Sequence, residues 1–352
     1  MPKAASLSGQ PTPVTRRTVM AGLGAAAVAA GLPRRALAAS SIKFSCDFRV
    51  YGGTAPFFYG NDLGFFKQNG ITAQIDGSLG SGDAITRVAS GAYDFGCADV
   101  STLVEFVSRN PESAPILIMP IYDRTAACII SLAGKPVNTL KDLEGKKLGV
   151  STADAGSRLL PGLLRLHNVD ASKIEMITIE QKLRDTLLMQ KRVDAVVGFD
   201  YTTLFNLIGN GVKKEDVHFV YYSNNGFDFY GQGLIASRKL VKSNPDLAKG
   251  VADAVAKSWI AAYKDPDAAI ASITKRDALA NAQVEKDRME WVLNHHVMTP
   301  NVKAHGLGTM DMKRLDAGIV AIREGFEIKK PLTAKDVWDG RFMPPAADRK
   351  VG

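Results

Sequence analysis

From Ser41 onward the chain alternates short apolar runs with helix-like segments, and it then repeats that alternation. Residues 41–48, 71–75, 93–97 and 116–122 read as strands, with helices over 57–66, 84–90 and 101–109 between them. A strand followed by a helix and another strand implies a parallel βαβ unit, because a parallel return needs a crossover. A second round follows, with strands at 148–151, 176–179 and 195–199 and helices at 157–167 and 182–190. Residues 234–238 add one more strand-like run. Beyond them the pattern is helical. Pro245 and Pro266 each sit at a helix start, where a missing N–H is harmless. Further helices are expected over 285–295 and 310–325, packed back on one lobe.

The first residues have a different character. Arg16 and Arg17 precede an apolar run over residues 19–32, and Arg34, Arg35, Ala36, Leu37, Ala38 and Ala39 follow. A run of about 14 residues falls short of the roughly 20 needed to span a bilayer as a helix. Paired arginines, a short apolar core and an Ala-x-Ala site resemble a twin-arginine export signal, so residues 1–38 are expected to be cleaved and the rest to reside in the periplasm. Lys3, Arg16, Arg17, Arg34 and Arg35 carry five of the formal +8 charges, leaving about +3 for the remainder. With no basic block, nucleic acid is not an expected partner. Cys46, Cys97 and Cys128 lack metal-ligand spacing and lie in strand-like runs, which favours buried free thiols for at least two of them.

Several segments resemble the NMT1/THI5-like group of type 2 periplasmic binding proteins. Pro56-Phe57-Phe58-Tyr59 with Leu63-Gly64-Phe65-Phe66-Lys67-Gln68-Asn69-Gly70-Ile71 looks like its first helix and second strand. Ser90-Gly91-Ala92-Tyr93-Asp94-Phe95-Gly96 looks like its third strand. Leu140-Lys141-Asp142-Leu143-Glu144-Gly145 resembles the entry to its second lobe, and Asn244-Pro245-Asp246 the helix after the return crossing. The resemblance implies an α/β, two-lobed protein with two hinge crossings and a helical C-terminal block. Lobe one would hold 41–124 plus 234–352, and lobe two 125–233. A ligand would lie between them, and closure would be a hinge motion. An ABC permease is the implied partner, the binding protein being a monomer without a cofactor.

Strand ends facing such a cleft supply the candidate contacts. Gly53 and Thr54 follow the first strand, where glycine lets a ligand approach the backbone. Ser81 and Gly82 open a helix, whose free N–H groups and dipole favour an anion. Asp99 either accepts from a ligand N–H or caps its own helix. Thr152, Ser157 and Arg158 form a hydroxyl-rich helix start in the second lobe. Asp200 lies at a strand end, and Tyr122 and Tyr230 lie by the crossings. The acids Asp99, Asp123 and Asp200 favour a ligand with N–H donors, such as a thiamin-pyrimidine-like or riboflavin-like heterocycle. Arg124 and Arg158 keep an alkylsulfonate, nitrate or aromatic carboxylate open. One branch of the family synthesises the thiamin pyrimidine from its own histidine. Here Gly52-Gly53-Thr54 occupy the loop where that histidine would stand. His295 and His296 are adjacent, so they face different sides of a helix and cannot chelate together. A binding protein rather than an enzyme is therefore expected.

Overall fold

The computed structural model describes residues 40–152 and 154–351. The export signal expected over residues 1–38 lies outside them. The chain runs through β1 (Ser40–Ser45), a 3-10 turn (Gly52–Thr54), α1 (Ala55–Asp62), α2 (Phe65–Gln68) and β2 (Ile71–Asp76). Next come α3 (Ser81–Ala89), β3 (Phe95–Asp99), α4 (Val100–Arg109) and β4 (Ile116–Pro120). The second round comprises β5 (Ala127–Leu132), β6 (Lys147–Val150), α5 (Ala155–Leu166), β7 (Glu175–Thr178), α6 (Arg184–Met189), β8 (Ala195–Phe199), α7 (Asp200–Gly209) and β9 (Val217–Tyr221). After β10 (Gln232–Ala236) the chain is helical: α8 (Arg238–Ser243), α9 (Pro245–Lys264), α10 (Pro266–Thr274), α11 (Ala282–Val292), α12 (Pro300–His305), α13 (Met312–Gly325) and α14 (Ala334–Val337).

The strands form two five-stranded sheets of one plan, ordered β2-β1-β3-β10-β4 and β7-β6-β8-β5-β9. In each, the second strand pairs in parallel with two neighbours, as β1 does with β2 and β3 and β6 with β7 and β8. In each, the fourth position is antiparallel: β10 in the first sheet and β5 in the second. The repeated alternation in the sequence is therefore a repeated topology. Strand β9 escaped the sequence reading, and β5 entered it only as the strand-like run that holds Cys128. Strand β5 follows β4 without an intervening helix, so the strand-then-helix rule passes over it. Strand β9 reads equally well as aromatic packing ahead of Tyr222.

Helix α1 is buried on nearly every side because it lies against the long helix α9 and against α10, with Phe57 resting on Phe44 of β1. Phe57 meets Trp259 edge-on at 5.5 Å between ring centroids. Burying a side chain of that size contributes roughly 2–3 kcal/mol. Gly60 permits the close approach, since a Cβ there would stand 1.6 Å from Ser258 Oγ. Gly64, at φ 77°, ends the aromatic helix earlier than the sequence pattern suggests.

The C-terminal helices do not settle on one sheet alone. Helix α11 lies against α7 and against the Gly52–Thr54 turn, while α13 lies against α5 and α4. The block thus ties the elements of the two sheets together. Cys46, Cys97 and Cys128 are all buried free thiols, and burial pushes each well above the ordinary range. Among the described residues, no helix is long and apolar enough to cross a membrane.

Candidate ligand-binding cleft

A cavity opens at the carboxyl ends of β1, β3 and β8. One wall comes from first-sheet elements: Asp47, Phe48, Tyr51, Gly80, Ser81 and Thr102. The opposite wall comes from second-sheet elements: Asp154, Ala155, Gln181, Arg184, Phe199, Tyr201 and Thr202. Its empty space is about 450 Å³ with the open mouth included, but the room inside it is narrow, about 30 Å³. Through Phe48, Gln181, Arg184 and Thr202 it adjoins a wider outer groove of about 1200 Å³.

The lining combines flat rings with buried polar groups. Tyr201 stacks between Phe199 and Tyr51, with centroids at 5.7 and 6.3 Å. Asp47 is only 5% exposed, and its carboxylate makes no side-chain hydrogen bond to another described residue. Burial raises that carboxyl to about 7; its own backbone N–H works against the rise and Asp99 adds to it. Thr102 Oγ1 is buried and has no protein partner.

Arg184 is 4% exposed. Its Nε donates to Asp185 Oδ1 at 2.8 Å and its Nη2 to Thr202 Oγ1 at 3.2 Å. Burial alone would lower this guanidinium's pKa, but Asp185 outweighs it and raises it. Gly198, near the end of β8, makes room for the head group: a Cβ there would lie 2.5 Å from Arg184 Nη1.

Of the residues expected from sequence, Ser81 lines the cavity. Its Oγ accepts from the Asp99 N–H at 3.0 Å and faces Gln232 Oε1 at 3.5 Å. Gly82 follows it in the first turn of α3. Asp99 is engaged as the cap of α4, accepting from Thr102 N at 3.1 Å and from the Ser101 hydroxyl. Burial raises its carboxyl to about 6.

The other expected contacts point elsewhere, each for a local reason. Gly53 and Thr54 form a buried turn in which Thr54 Oγ1 accepts from Tyr51 N at 3.1 Å. The backbone that approaches this turn is the protein's own, since the Gly52 N–H donates to Glu285 Oε2 of α11 at 2.6 Å. Tyr122 is enclosed by Tyr201, Trp259 and His296. Thr152 is exposed on the loop before α5 and does not line the cavity. Ser157 turns its hydroxyl back to accept from Ser151 N at 3.1 Å. Arg158 pairs with Glu105 of α4 at 2.7 Å. Tyr230 lies under the Arg314 guanidinium and accepts from Asp311 N at 2.8 Å.

Asp200 is fully buried. It accepts from Trp291 Nε1 at 2.8 Å and Tyr221 OH at 2.9 Å, and faces His296 Nε2 at 2.9 Å. Burial opposes ionisation, but His296 and these donors outweigh it and hold the carboxyl below its usual range.

Sequence reasoning missed Asp47 and Arg184. Asp47 stands just past the first strand, two residues beyond Ser45, so the strand-end rule could have found it. Arg184 opens a short helix in a stretch rich in exposed charge, and nothing local marks it as buried.

Two α/β sheets of one topology, facing each other across a polar cavity at their strand ends, define the type 2 periplasmic-binding-protein architecture. The chain belongs to the NMT1/THI5-like family, whose model matches residues 53–269. Solved structures share the fold at low identity. The alkanesulfonate-binding protein SsuA from Xanthomonas axonopodis pv. citri, bound to MOPS, is 12% identical with a TM-score of 0.65, over 85% of this chain and 98% of that one. The periplasmic aliphatic sulphonate binding protein SsuA from Escherichia coli is 13% identical with a TM-score of 0.65, over 85% and 97%. A ligand-binding component of an ABC-type import system from Staphylococcus aureus, with zinc bound, is 12% identical with a TM-score of 0.62, over 89% and 100%. Among the described residues no group of His, Cys, Asp or Glu is arranged to hold a metal ion. A search of curated proteins found no significant match.

Proposed function

We propose that this chain is the exported substrate-binding component of an ABC importer, carrying a small molecule in the cavity to a membrane permease. Family membership supports this, as do the binding roles of the similar structures. Residues 1–38 would direct export and be removed, and the protein would act as a monomer in the periplasm. Lobe one would comprise 41–124 plus 234–352 and lobe two 125–233, closing about the ligand by a hinge. The chain would bind without transforming its cargo.

The ligand we favour is a nitrogen heterocycle. The observation that carries this reading is Asp47, a buried carboxyl without a side-chain partner beside the Tyr51 and Tyr201 rings. A flat ring with an N–H would stack on those rings and donate to that oxygen. A sulfonate is the second reading. Arg184 and the start of α3 at Ser81 offer N–H donors to an anion, and two of the similar proteins bear sulfonate-binding names.

The test is a thermal-shift and calorimetric screen of residues 39–352, unfolded and refolded to remove any retained ligand. Pyrimidines, flavins, alkylsulfonates and nitrate form the panel. A ligand at 100 times its Kd raises stability by about 2.7 kcal/mol. A response to heterocycles but not sulfonates supports the first reading, and the reverse supports the second. Silence across the panel, with no compound retained by the native protein, would count against a binding role.

A further inference from the structure

Asp47 and Arg184 line the same cavity from opposite walls, and no ion pair joins them. Each is more than nine-tenths buried. Arg184 directs Nε to Asp185 and Nη2 to Thr202, and Nη1 makes no hydrogen bond to a described residue. On the facing wall Thr102 Oγ1 lacks a protein partner, and the Asp47 carboxylate meets its own backbone N–H but no side-chain donor of another described residue. Buried polar groups without partners are rare in folded proteins. Two such atoms among the described residues, Tyr51 Oη and Thr102 Oγ1, belong to residues that line this cavity, and with them stand groups of opposite character: an acceptor, Asp47, on the first-sheet wall and a cationic donor, Arg184, on the second, its Nε paired with Asp185. Flat rings separate them, with Tyr51 on one side and Phe199 and Tyr201 on the other.

We infer that the cavity, once its two walls part, takes a two-ended ligand: a small heteroaromatic acid with an amino or ring N–H group, the N–H bonded to Asp47 and the acid group to Arg184. This rests on the substrate-binding reading and narrows it. It also joins the two ligand classes considered above, because a heterocycle meets one wall and an anion the other. The room that Gly198 leaves for Arg184 Nη1 fits a head group held in place for this task.

Three compounds on one ring test it: 2-aminopyrimidine-5-carboxylate, pyrimidine-5-carboxylate and 2-aminopyrimidine, titrated calorimetrically into ligand-stripped protein. The compound with both groups should bind at least about tenfold more tightly than either one-ended compound. Asp47→Asn should weaken the two amino compounds and leave pyrimidine-5-carboxylate unchanged. Arg184→Lys keeps the charge and removes the planar fork. It should weaken the two carboxylates and spare 2-aminopyrimidine, which also shows that the variant is folded. One-ended compounds binding as well as the two-ended one would overturn the inference. So would either substitution weakening all three alike. If none binds but an alkylsulfonate does, the two-ended ligand is wrong while the substrate-binding reading stands. If nothing binds and no compound is retained, both fail.

Discussion

His296 Nε2 lies 2.9 Å from each carboxylate oxygen of Asp200, joining the turn after α11 to the start of α7. Both side chains are buried, and Asp200 also accepts from Trp291 and Tyr221. A residue expected to greet a ligand instead fastens the C-terminal block to the second sheet.

Asp200→Asn should therefore act on stability. An amide presents an N–H₂ to donors that need an acceptor, and breaking a buried pair of this kind costs about 3–5 kcal/mol. Urea unfolding at neutral pH should show that loss. The carboxyl is held below 3.8, so its contribution is present above that value and is lost as pH falls through the lowered one. The variant should lack this part of the acid sensitivity.

Asp47 predicts the opposite pH response. Its carboxyl lies at about 7 in the fold against an ordinary 3.8. The folded chain therefore holds a proton that the unfolded chain releases between those values. That stability is full below 3.8 and is lost as pH rises through about 7. Asp99, at about 6, adds to the same slope. Asp47→Asn should make the ligand-free protein more stable at pH 8, by up to roughly 4 kcal/mol, and flatten the decline from pH 5 to 8 in urea titrations.

Gly52→Ala should be severe. The new Cβ would stand 2.1 Å from the Glu285 backbone oxygen, and backbone cannot swing aside as a side chain can. The Gly52 N–H bond to Glu285 would be displaced along with the Glu285–Arg288 pair, in which Arg288 donates to the Tyr201 carbonyl at 2.7 Å. A loss of about 3 kcal/mol or more is expected, measured as a fall in urea midpoint.

Glu105→Gln removes one side of the ion pair that links α4 to α5 through Arg158. Glu105 is buried while Arg158 is partly exposed, so the expected loss is modest, about 1–2 kcal/mol. The pair joins elements of different sheets. Small-angle scattering of the ligand-free variant should show a larger radius of gyration. An unchanged radius would mean that other contacts between the sheets dominate.

The sequence by itself determined the architecture. Strand and helix periods are local properties, and their repetition gave two α/β units. The Pro-marked helix starts and the Asp99 cap were also visible, because a cap reaches only three residues along the chain. Tertiary structure decided which polar residues face the cleft. Gly52, Arg158 and Asp200 carry the residue types expected of ligand contacts. Their partners are Glu285, Glu105 and His296, and the partners of Gly52 and Asp200 lie in a C-terminal block whose packing against both sheets is not written in any local pattern. Arg184 differs from a solvated helix arginine only through burial beneath Thr202 and the space left by Gly198. Burial depends on what packs from afar, and so it fixed which charges are spent on contacts within the fold and which line the cavity.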